Sequence, residues 1–147
     1  MFLDDRQVAL NDVIVICKDT ADRYQDIADS IEDAELSAWF QDLSRRRRGA
    51  AKVIEDHVRQ LGYLPREPDA DRETLESLVT YFKALLAENE RLPLLETCEQ
   101  AERDVAARVS IALQQDLPED TLADLRCLHA AVSDTQNRLA AERAKWH

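Results

Sequence analysis

The stretch LSRRRRGAAK, residues 43 to 52, sets four consecutive arginines in a chain whose formal net charge is -11. Successive residues of a helix turn by about 100°, so Arg45 to Arg48 sweep roughly 300° of its surface and at least one faces the packing side. The stripes of apolar residues point to Arg46 or Arg47. The other side chains of chemical interest are Cys17, Glu102, Arg126 and His129, each on or beside a stripe near the middle of its own helix. Carboxylate, imidazole and thiol are metal-ligand types, and Cys17, His129 and Glu102 could also be drawn as a nucleophile, base and carboxylate. Burial in the middle of a bundle leaves such a catalytic set little room for a substrate.

These residues need helices to bring them to one level. Apolar and small residues at 10, 13, 14, 17, 21, 24, 27, 28 and 31 repeat at the i, i+3, i+4, i+7 spacing of an amphipathic helix over about 5–32. Asp33 is a suitable N-cap for a second helix over about 35–62, with Leu36, Trp39, Phe40, Leu43, Val53, Ile54, His57 and Leu61 along one side and Gly62 at its stop. The prolines of YLPREPDAD end that pattern, and a shorter amphipathic segment follows over about 73–89. Pro93 opens a third helix over about 92–115, its stripe running through Cys98, Glu102 and Val105. Pro118 opens a fourth over about 118–146, with Leu122, Leu125, His129, Val132, Gln136 and Leu139 in line. Two helical hairpins joined by a long crossover make an all-α four-helix bundle in one domain, 1–147.

Composition agrees and excludes several functions. With only two glycines and four prolines, the chain lacks the turn residues that a β-rich domain requires. Gly49 and Gly62 are isolated, so no glycine-rich phosphate loop is present. Thirty acidic against nineteen basic residues set up a field that repels nucleic acid and anionic membrane. The opening MFLDDRQ has no basic leader segment, and no apolar run is long enough to span a bilayer, so a cytoplasmic protein is expected. Cys17, Cys98 and Cys127 form no C-x-x-C pair, which argues against a disulfide framework or a zinc site. Tyr24 and Trp39 read as core packing, and Asp19, Asp22, Asp26 and Asp29 as a hydrated outer face.

The segments ALNDVIVICKDTADRY, LSAWFQDLSRRRRGAAKVIEDHVRQLG, LLETCEQAERDVAARV and LADLRCLHAAVSDTQNRL, with the crossover between the second and third, resemble the ferritin-like superfamily and, more closely, bacterial ferritin-like proteins associated with stress. In iron-binding relatives a Glu on helices 1 and 3 and a Glu-x-x-His on helices 2 and 4 hold two metal ions. The resemblance places those ligand positions at Cys17, at Arg47 and Ala50, at Glu102, and at Arg126 and His129. Only Glu102 and His129 keep the ligand type. Arginine cannot ligate a cation, so the departure argues against metal binding and oxidase activity.

A lone Glu102 in a core must protonate or find a positive partner, and Arg47 and Arg126 are its candidates. The expectation is therefore a metal-free Arg-Glu-Arg cluster at the vestigial site. It follows that the chain is expected to be a non-enzymatic, stress-related or protein-interaction module without cofactor. A homodimer is expected: Val8, Val15 and Ile16 lie off the main stripe of helix 1, where they either sit under the crossover helix or form a subunit contact, and the crossover stripe of Leu78, Phe82 and Leu85 is a second candidate surface. The alternative is a carboxylate protein binding iron or manganese through other ligands such as Glu55, His57 or Glu99.

Overall fold

The computed structural model describes residues 4–65 and 91–145. The segment expected over 73–89 lies outside the described residues. Among the described residues four helices follow one another: α1 Asp5–Ser30, α2 Ala34–Gln60, α3 Arg91–Leu113 and α4 Glu119–Ala144. All four boundaries fall within two residues of those the periodicity predicts. Pro93 is the third residue of α3 rather than its first. Pro118 precedes α4 as its cap, and Glu119 and Asp120 begin the helix.

Local chemistry explains the ends. Asp4 caps α1 by accepting from the Arg6 N–H at 2.8 Å, and Asp33 caps α2 by accepting from Glu35 and Leu36. Helix α2 stops in a Schellman turn, in which Gly62 N–H donates to Arg59 O and Tyr63 N–H to Val58 O. The turn needs a left-handed residue, and Gly62 supplies it at φ 85°. These ends also orient the bundle. Tyr63 donates its hydroxyl to Asp4 at 2.8 Å, bringing the end of α2 to the start of α1, while Arg91 lies 3.6 Å from Asp33, bringing the start of α3 to the α1–α2 turn.

Helix α1 therefore packs along both α2 and α3, and α4 along α3 and, most sparsely, α2. Helices α2 and α3 stand on a diagonal without backbone contact. The core between them divides in two. One apolar cluster gathers Leu10, Ile14, Ile54, Val58, Val109 and Leu125; the other gathers Tyr24, Ile27, Phe40, Leu95 and Leu139. Between the two lies a buried polar belt to which every helix contributes: Thr20, Ser44, Arg47, Glu102 and Thr135. Its hydroxyls are satisfied by helix carbonyls, Thr20 on Ile16, Ser44 on Ala21 at 2.6 Å and Thr135 on Ala131. On α1, Val8 is exposed, whereas Ile16 packs against the first cluster.

The two glycines of α2 and its stop respond in opposite ways. A Cβ on Gly49 meets nothing within 4 Å, so Gly49→Ala is expected to stabilise the fold by about 0.5–1 kcal/mol. Gly62→Ala, at positive φ, is expected to cost about 1 kcal/mol. Urea unfolding of both variants checks this, and shifts of the same sign would contradict the assigned backbone conformations.

Candidate functional site

Glu102 sits at mid-length on α3, completely buried, one turn beyond Cys98 and one before Val105 on the inward stripe. Arg47, 2% exposed, reaches it across the bundle diagonal and forms a bidentate pair: Nη1 donates to Oε2 at 2.8 Å and Nη2 to Oε1 at 2.7 Å. The Tyr24 hydroxyl of α1 donates to the same Oε2 at 2.6 Å. Three donors from two helices thus converge on two carboxylate oxygens, and no water is needed to complete the set.

The surroundings hold the protons where this geometry needs them. Burial alone would pull the Arg47 guanidinium down, but the hydrogen bonds and charge of Glu102 outweigh it and raise it above its usual range. Burial and then the charge of Glu102 push the Tyr24 phenol well up, so it stays a donor. The Cys17 thiol is pushed up to about 12, chiefly by burial, with Arg47 opposing and Glu102 reinforcing the shift. Cys98 is raised by burial and then by Glu102. Neither thiol is an activated nucleophile, since activation requires a lowered pKa and access.

The four arginines divide as helical geometry demands. Only Arg47 turns inward. Arg45 and Arg46 share the single carboxylate of Asp42, and Arg48 crosses to Asp22 on α1 at 2.7 Å. Asp22 is thus engaged, as are Asp19 and Asp26 with Arg23 and Asp29 with Gln25, so the outer face of α1 is an ion-paired face rather than one merely hydrated.

The second expected arginine is a correction. Arg126 is exposed and pairs with Glu119, its neighbour along α4, so the cluster is Arg-Glu-Tyr instead of Arg-Glu-Arg. The core stripe of α4 runs through Thr121, Leu125, Leu128, Val132, Thr135 and Leu139, and Arg126 lies about 100° round from Leu125. His129 is half-buried with no hydrogen bond to Glu102, and Ala50 is half-buried on α2. Tyr24 supplies the contact that sequence reasoning missed. The available signal was its place two turns beyond Cys17 on one stripe, because a buried phenol requires a hydrogen-bond partner.

The residues do not fit a metal pair. Both oxygens of Glu102 accept from cationic or hydroxyl donors, and among the described residues no three His, Cys, Asp or Glu side chains are grouped so that they could hold a metal ion. The substitutes named from sequence are dispersed: Glu55 is ion-paired with Lys18 of α1 at 2.6 Å, Glu99 with Arg143 of α4 at 3.0 Å, and His57 lies between Thr121 and Asp124.

A family model described as "Domain of unknown function (DUF2383)" matches residues 6–115. No curated protein and no solved structure matches the chain.

Burial divides the thiols by reactivity, with Cys17 and Cys98 buried and Cys127 exposed. A raised thiol pKa keeps the thiolate fraction low at every pH beneath it. An aromatic disulfide reagent at pH 8 is therefore expected to modify one cysteine of the three in the native protein and all three in urea. Rapid native modification of Cys17 would contradict the closed centre.

Proposed function

The chain belongs to the DUF2383 family, and from that premise we propose that it is a ferritin-like bundle whose central site is closed by a guanidinium instead of a metal. The observation that carries this reading is the bidentate Arg47–Glu102 pair, buried at the level where helices of an iron-binding relative would present ligands. A guanidinium has donors and no lone pair, so it balances the carboxylate charge while excluding a cation. With both oxygens occupied and the adjacent thiols protonated, the centre has no free base, nucleophile or ligand.

The protein then acts as a non-enzymatic module, in the cytoplasm, through protein interaction and in a stress-related setting. Its physiological partner is to be identified by capture from the native host. The rival reading, an iron- or manganese-binding carboxylate protein, needs ligands that the described residues commit to separate ion pairs. Among the described residues no helix is long and apolar enough to cross a membrane, in keeping with the proposed setting.

Two measurements test the closed centre. Protein purified after growth with iron or manganese is expected to hold far less than one equivalent by elemental analysis; a stoichiometric, carboxylate-held ion would favour the rival. Arg47→Met and Glu102→Gln each strand one member of a buried pair, and each is expected to cost about 3–5 kcal/mol in urea unfolding. The double variant is expected to cost clearly less than the sum of the two, because it removes both charges together. Additive losses would mean that the two side chains are not coupled.

A further inference from the structure

Helices α2 and α4 are fastened at both ends and parted between. At one end His57 bonds Asp124 at 2.7 Å and Thr121 at 3.0 Å. At the other, the Arg138 guanidinium stacks 5.2 Å from the centre of the Trp39 ring and lies 3.8 Å from Glu35. Between these fastenings a half-open groove of about 230 Å³ runs along the pair, from Leu43 to Ile54 on α2 and from Asp124 to Thr135 on α4. Eleven residues of helix make it about 16 Å long.

Its walls are mostly hydrocarbon: Leu43, Ala50, Val53, Ile54, Leu128 and Ala131. Val53 remains 42% exposed at the lip, an aliphatic side chain that nothing in the described residues covers. The polar groups on the floor are already committed, Arg47 to Glu102 and Thr135 to the Ala131 carbonyl. Glu102 takes two of the five N–H groups of Arg47, and the rest of the lining is mostly hydrocarbon, so the deep part suits an apolar tail.

Charge at the lip orients that tail. The cation that lines the groove is Arg46, whose partner Asp42 is shared with Arg45 on the neighbouring face of α2, so one carboxylate serves two guanidiniums. Arg46 gives only its Nε to Asp42, at 2.9 Å, and its terminal nitrogens have no partner among the described residues. The far end is closed by Asp124, which bonds His57, eleven residues or about 16 Å along α2 from Arg46. An anionic head is drawn to Arg46 and repelled from Asp124, while a cationic head is not held at Arg46.

We propose that the α2–α4 groove is a binding site for a linear amphiphile with an anionic head, a free fatty-acid-like carboxylate, its head on Arg46 and its chain lying over Ala50, Val53, Ile54 and Leu128. The site is separate from the closed centre and survives whether or not the metal-free reading of that centre holds. Cys127, exposed on the α4 side of the groove, is a reporter of occupancy.

Dodecanoate, below its micelle concentration, is the probe, with dodecanol and dodecyltrimethylammonium as the neutral and cationic comparisons. Calorimetry on the parent protein is expected to give one saturable site for dodecanoate and weaker binding for the cation. Dodecanoate is expected to slow thiol-reagent attack on Cys127. Arg46→Gln should weaken dodecanoate about tenfold while leaving dodecanol unchanged. Ala131→Trp, an exposed substitution that fills the groove, should abolish both binding and protection. Equal affinity for the cation, or dodecanoate binding that survives Ala131→Trp, overturns the proposal. So does a concentration-dependent dimer that shields Cys127 without ligand, which would give the groove to a second copy. Groove-dependent sedimentation with anionic phospholipid vesicles but no binding of free dodecanoate would give it to a membrane surface and overturn the proposal equally.

Discussion

A carboxylate in the middle of a four-helix bundle is stable only if something replaces the water it has lost. Here that is the Arg47 guanidinium, delivered across the diagonal from α2, with the Tyr24 hydroxyl as a third donor. Helices α2 and α3 have no backbone contact, so two long side chains make this bond where two short ones could not. It also sets register, because Arg47 meets both oxygens of Glu102 only at one relative height of the two helices. An ion pair of this kind need not stabilise the fold beyond what well-packed apolar residues would achieve. Its effect is to penalise arrangements in which either charge is left alone.

The polar belt explains why the apolar core comes in two parts. Thr20, Ser44 and Thr135 line the same layer as the ion pair, and each spends its hydroxyl on a helix carbonyl. No hydroxyl competes with Tyr24 for Glu102. Above and below the layer, branched aliphatic and aromatic side chains interlock, with Cys17 and Cys98 at its borders and Asn11, His57, Thr121 and Glu142 buried further out. Ion pairs at the surface, such as Arg48 with Asp22 and Arg108 with Asp12, join neighbouring helices but lie where solvent screens them. Each therefore contributes little beside the core.

The bundle is not equally tight all round. The α1–α2 hairpin is the most closely packed pair and α2–α4 the loosest, held by the His57 fastening and the Trp39–Arg138 stack.

Much of this architecture was legible in the residue order, because helical periodicity, capping residues and the scarcity of glycine are properties of local sequence. They determined four helices with ends within two residues, the inward Glu102 and its need for a cation. The choice of cation was not local. A stripe defines a face only to about one residue, or 100°, which left Arg46 and Arg47 equivalent and put Arg126 inside when it belongs outside. In α4 the true stripe includes Thr121 and Thr135, polar residues whose hydroxyls go to His57 of α2 and to the Ala131 carbonyl, and which leave little apolar pattern to read. Tyr24 looked like packing because its ring is packing; only its hydroxyl has another role. Tertiary structure decided these points by fixing the rotation of each helix and the distance across the diagonal, which together determine whose donors reach Glu102.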